Sequence, residues 1–214
     1  MWGESPFDHT KGYRSVLKDK ALLGIAFTYI MIAVMMSGLT TAAFPQWATE
    51  QVQTTTGIVG LAFFVNSLVI IAGQLLMIRL IRNKRRTRVT AFTILFLGVG
   101  SMMIWISGYI SYTLAVYGLI FALGVIGVGE TMLFSSLPAL VNDLASDALR
   151  NRYNAVFNLS WQAGAVIGPP LAGVALGANL KGFLFLLFIF ITALLIPFTV
   201  WLERFIPIKI NKGD

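Results

Sequence analysis

The feature that most constrains this chain is where its charges are missing. Between Lys20 and Arg79 lie 58 residues with one charged side chain, Glu50, and between Arg88 and Asp143 lie 54 with only Glu130. Two shorter runs come next, 28 residues between Arg152 and Lys181 and 21 between Lys181 and Glu203. An ionised group at the centre of a bilayer costs about 3 kcal/mol or more, so membrane spans read as charge-free runs. A span needs about 20 apolar residues at roughly 1.5 Å of rise each. The two long runs therefore hold two helices apiece and the short ones a single helix, six in all. Composition agrees: 57% of the 214 residues are hydrophobic and 12% charged, with a mean hydropathy of +0.80. A soluble domain carries about 25% charged residues, enough to coat a wet surface. This chain does not.

Turn residues and polarity divide the runs. The first helix is expected over about Ala21 to Ala43, stopping before Pro45, and the second over Gly57 to Ile78 after a polar loop from Gln46 to Thr56. The third covers Val89 to Ile106. The fourth runs from Tyr112 to somewhere between Pro138 and Val141, the fifth from Tyr153 to Leu176, and the sixth from Gly182 to Leu202. A basic leader (1–20), a six-helix bundle (21–203) and a short tail (204–214) make up the expected organisation.

On this scheme all the Lys and Arg residues but Lys181 fall on one side of the membrane. By the positive-inside rule that side is the cytoplasm and holds both termini, which predicts a multi-pass protein of the plasma or inner membrane. The same topology explains the net charge of +7 and the basic stretch Arg82 to Arg88, which read as lipid-headgroup contacts and not as a nucleic-acid site. A basic leader followed by an apolar stretch ending in Thr41, Ala42 and Ala43 loosely fits a cleaved secretory signal. The apolar run is longer than such signals use, however, and five more spans come after it.

Several chemistries lack their residues. There is no cysteine, hence no disulfide and no thiolate ligand, and the one histidine, His9, lies in the polar leader beside Asp8. No Gly-rich phosphate loop, metal-ligand set or catalytic constellation is present, so neither an enzyme nor a cofactor is expected.

What the spans do contain is a small set of polar groups that hydrocarbon makes expensive. Glu130 is the only acid inside a span, near mid-depth, with no Lys or Arg in any span to neutralise it. Such a carboxyl is carried most cheaply as the neutral acid, which makes Glu130 a candidate proton site; a hydrogen bond to a neighbouring helix is the plainer alternative. The fifth helix carries Asn154, Asn158 and Gln162 at i, i+4 spacing with Trp161 beside them, a stripe suited to lining a cavity or bonding another helix. Further along it, Gly164 and Gly168 form a GxxxG pair, followed by Pro169, Pro170 and Gly173. Close packing by the glycines and lost hydrogen bonds at the prolines together read as a helix shaped to open or close something. Asn66, Ser67 and Gln74 on the second helix also need internal partners, Asn66 being the better cavity candidate. Trp47, Trp105, Tyr109 and Tyr112 sit where an outer interfacial belt is expected.

In their order along the chain, several stretches resemble the C-terminal half of major facilitator superfamily transporters. The leader Gly12 to Lys20 resembles the central loop running into the seventh helix of that family. Asn66 to Gln74 with Arg79 and the basic loop is similar to its eighth helix and the loop after that helix. Gly127-Val128-Gly129-Glu130, Pro138, Asp143-Leu144-Ala145 and Arg150 to Asn154 resemble the tenth helix and the loop into the eleventh, and Gly164 to Gly173 the Gly-Pro motif of the eleventh. The loop Arg79 to Arg88 lacks the Asp-Arg-x-Gly-Arg-Arg core found in the N-terminal half.

The resemblance implies an all-α fold of two inverted three-helix repeats, half of a twelve-helix alternating-access carrier with its substrate site between the halves. Within the family the drug:proton antiporter branch is nearest, implying proton-coupled efflux of a small, amphipathic solute. Glu130 would then be the proton site, Asn66, Asn158, Trp161 and Gln162 the cavity lining, and Gly164, Gly168, Pro169, Pro170 and Gly173 the gating motif. A full carrier spans about twice this length, so the expected partners are a second half-transporter or another copy, besides lipid, solute and proton. The alternative is a truncated remnant or a non-transporting membrane partner protein.

Overall fold

In the structure, a computed structural model that describes residues 14–178 and 180–212, six helices are long and apolar enough to cross a membrane. They are α1 (Lys20–Gln51), α2 (Thr56–Ile81), α3 (Arg86–Ser107), α4 (Tyr112–Leu144), α5 (Arg150–Gly177) and α6 (Lys181–Trp201). A 3-10 turn, Leu202–Phe205, extends α6, and a short helix, α7 (Ile208–Lys212), closes the described chain. There is no strand among the described residues. His9 and the leader up to Tyr13 lie outside them.

All six expected spans form, and α1 departs most from expectation. It does not stop before Pro45 but continues to Gln51, so the connection to α2 is only Val52 to Thr55. Pro45 has no N–H to give, and the helix absorbs the defect with widened π turns on both sides, Leu39–Ala43 and Trp47–Gln51. The N–H groups of Phe44 and Val52 reach back five residues, to the carbonyls of Leu39 and Trp47. The continuation carries Trp47 into the interior, where it is 2% exposed and meets Phe185 edge-on at 5.1 Å; it is not part of an outer belt. Tyr109 and Tyr112 are exposed. Helix α4 likewise runs past Pro138 to Leu144, and α5 is unbroken through Pro169 and Pro170.

The packing has a clear pattern. Helix α1 lies along α5, α2 along α4, and α3 along both α4 and α6. Advancing the numbering by three helices exchanges the α1–α5 pair with the α4–α2 pair and maps the α3–α6 pair onto itself. Three successive spans reverse the direction of the chain, so the repeats are inverted, as the fold class requires. The symmetry breaks most at one place: α3 and α4 are tightly joined, whereas α1 and α6 touch sparsely.

The basic end is held by polar contacts. Asp19 caps α1, accepting from the N–H of Ala21 at 2.8 Å, and its second carboxylate oxygen accepts from the Tyr153 hydroxyl at 2.7 Å, tying the starts of α1 and α5. Glu203 binds Arg85 and also Arg88, the latter at 3.0 Å, while Arg86 pairs with Asp143 at 2.6 Å. Asn211 of α7 accepts from the backbone N–H of Thr87 at 3.1 Å and donates to its hydroxyl at 2.9 Å. The segment after α6 therefore folds back onto the start of α3.

Candidate functional site

The site is built on glycines. An added Cβ at Gly127 would stand 3.0 Å from the backbone oxygen of Asn66, and one at Gly129 would stand 3.0 Å from the Cβ of Phe96. Their absence lets α2 press on one side of α4 and α3 on the other. Glu130 comes directly after, 7% exposed, between these neighbours.

The amide of Asn66, itself 9% exposed, donates to the Leu123 carbonyl at 3.1 Å and reaches Glu130 Oε2 at 3.5 Å. Two turns along, Gln74 Nε2 donates to the Ser135 hydroxyl at 3.1 Å, and Ser135 donates in turn to the Thr131 carbonyl at 2.8 Å. From the third helix, the Thr93 hydroxyl donates to the Gly129 carbonyl at 3.1 Å. No ion pair joins Glu130 among the described residues. A carboxyl so placed, with an amide donor at one oxygen and no fixed cation, can take up or give up a proton without breaking a salt bridge.

The stripe on α5 is divided. Asn154 turns to α4, donating to Asn142 Oδ1 at 2.8 Å, whereas Asn158 and Gln162 lie exposed. Trp161 is half-buried, 5.0 Å from Tyr29 and 6.5 Å from Phe134, and Tyr29 stacks on Phe157 at 4.1 Å. Further along the side of α5 that carries Phe157, Gly164 and Gly168 pack directly on α1: a Cβ at Gly164 would strike the Ile30 carbonyl and come within 2.6 Å of the Ala33 side chain. At Gly168 it would strike the Ser37 hydroxyl and lie 2.8 Å from the Gly38 nitrogen. Gly173 meets nothing within 4 Å and takes no part in this contact, and Pro170 is exposed.

Asn66 and Glu130 are thus brought together, although in the sequence they stand as separate candidates. Asn158 and Gln162 do not join them; they lie on the open face of another helix. Ser135, whose hydroxyl accepts from Gln74, and Thr131, whose carbonyl accepts from that hydroxyl, belong to the site without having stood out in the sequence. Their i, i+4 spacing, continuing the small-residue line of Gly124 and Gly127 on α4, is the signal that marks the face α2 meets.

A family model described as the Major Facilitator Superfamily matches residues 25–211 of this chain. The chain belongs to that superfamily. It is therefore a multi-pass membrane protein of a family of transporters that carry small molecules across membranes, and its six apolar helices are the membrane part. Among curated proteins no match is found.

Proposed function

We propose that this superfamily member is the C-terminal six-helix unit of a proton-coupled carrier, of the drug:proton antiporter type, that exports a small amphipathic solute by alternating access. One observation carries the reading: a buried carboxyl with no ion pair among the described residues, Glu130, contacts α2, whose most apolar stretch is only 11% buried within the bundle. A helix left so open needs a counterpart, and an acid beside it would sense that counterpart's movement.

In this reading Glu130 is the proton site and Asn66 its positioning partner. Asn158, Gln162 and the edge of Trp161 form the solute-facing wall on α5, and the packing of Gly164 and Gly168 on α1 is the pivot about which α5 shifts. Pro169, Pro170 and Gly173 leave the next turns short of hydrogen bonds and side-chain bulk. The basic end faces the cytoplasm of a plasma or inner membrane. The missing wall is a second six-helix unit, supplied by another chain, by a further stretch of this one or by a second copy.

The test is reconstitution into liposomes with and without a candidate N-terminal half, with solute flux measured under an imposed pH gradient. Gradient-driven flux that requires both halves supports the assignment. Failure of every such pairing to move solute, with both halves folded, favours a non-transporting membrane protein.

A further inference from the structure

The outer face of α3 near the basic end carries a feature that solute transport does not use. Arg88, Phe92 and Leu95 lie exposed along it at i, i+4, i+7 spacing. Two apolar grooves flank this line. One, of about 580 Å³, lies between α2 and α3, walled by Met77, Leu80 and Val89 and by Met132 of α4; the other, of about 340 Å³, lies between α3 and α6, walled by Ala91, Leu95, Ile196 and Val200. Arg88 and Phe92 line both. The grooves therefore meet beneath one guanidinium and part around one aromatic ring.

The charges at that meeting point do not cancel. Lys84, Arg85 and Lys212 also line the larger groove, and no acid does. Arg85 and Arg88 share a single carboxylate, Glu203, which leaves one positive charge over. Lys84 and Lys212 form no ion pair among the described residues. Lys212 is held in place because α7 is anchored through Asn211 to Thr87. A neighbouring hollow shares Lys212 and adds Arg79 and Arg82, so the positive field extends around the end of α2.

We propose that this is a site for one anionic diacyl phospholipid. Its phosphate sits among Arg88, Lys84 and Lys212, and its two acyl chains descend on either side of Phe92. A free phosphate satisfies the cations but leaves both grooves empty; a zwitterionic lipid fills the grooves but brings its own cation to the cluster.

Native mass spectrometry of the full chain, released from micelles holding equal amounts of dioleoyl phosphatidylglycerol and dioleoyl phosphatidylcholine, tests this. One phosphatidylglycerol is expected to stay bound in preference to phosphatidylcholine. Lys84→Gln and Lys212→Gln should each cut that preference roughly fivefold, and together about twenty-five-fold, while Arg150→Gln at the other basic loop leaves it unchanged. Leu95→Trp, which fills the smaller groove, should weaken the diacyl lipid but not its single-chain lyso form. Equal retention of the two lipids by the native chain overturns the proposal, as does an equal loss in Arg150→Gln. Displacement by inorganic phosphate together with a silent Leu95→Trp identifies a phosphate site and overturns the lipid assignment.

Discussion

Glu130 separates coupling from packing more sharply than any other side chain. Replacing it with Gln keeps the shape and a neutral hydrogen-bonding group but removes the exchangeable proton. If Glu130 carries the coupling proton, Glu130→Gln abolishes solute flux driven by a pH gradient and makes the remaining exchange independent of pH, with solute binding retained. Proteoliposome uptake at a series of external pH values checks this; full gradient-driven uptake by the variant removes Glu130 from the mechanism. The glycines of α5 give a second test at single-residue resolution. Ala at Gly164 or Gly168 must displace the backbone of α1 and should cost about 1–3 kcal/mol, seen as a lower unfolding temperature in mild detergent. Ala at Gly173 meets open space and should be neutral or stabilising by up to about 1 kcal/mol. Both the acid and the GxxxG pair were legible in the sequence, because a costly group or a missing side chain is visible at its own position. That Asn66 would reach Glu130 was not, since they lie 64 residues apart and only the crossing of α2 and α4 joins them.

At the level of elements, charge-free runs located every span, because the penalty for burying charge acts on each helix independently. The ends were harder to place. Proline stops a helix in water, yet in α1 the widened turns around Pro45 kept the backbone paired and moved the boundary to Gln51. The anchorage of the tail was equally hidden, for it depends on Thr87 and Asn211, 124 residues apart. The junction at Glu203 yields a prediction of its own. Glu203→Gln leaves Arg85 and Arg88 without their common carboxylate and should loosen the joint between α3 and α6 by about 1 kcal/mol, the upper end for partly exposed pairs. Limited tryptic cleavage at Lys209 and Lys212 should quicken several-fold while the other loops are cut as before; unchanged cleavage means the tail is held without Glu203, by Asn211 on Thr87 and by Arg86 on the Ile210 carbonyl.

For the whole molecule, the asymmetry of charge predicts an orientation that can be measured in a chain with no native cysteine. Cysteines placed at exposed Thr55 and Lys84 should react with an impermeant maleimide from opposite sides, Lys84→Cys only from the cytoplasm. Labelling of both positions from outside overturns the topology. The α1–α5 pairing has a consequence in time. Helix α1 buries 72% of its most apolar stretch, mainly on a helix whose first contact with it, Tyr153 to Asp19, lies 134 residues later in the chain. At about 5–20 residues per second, a ribosome needs roughly 7–27 s to make that stretch. Throughout that interval the first helix waits in the bilayer with its docking face bare, so the newborn protein is most exposed to mispairing before its fifth span arrives.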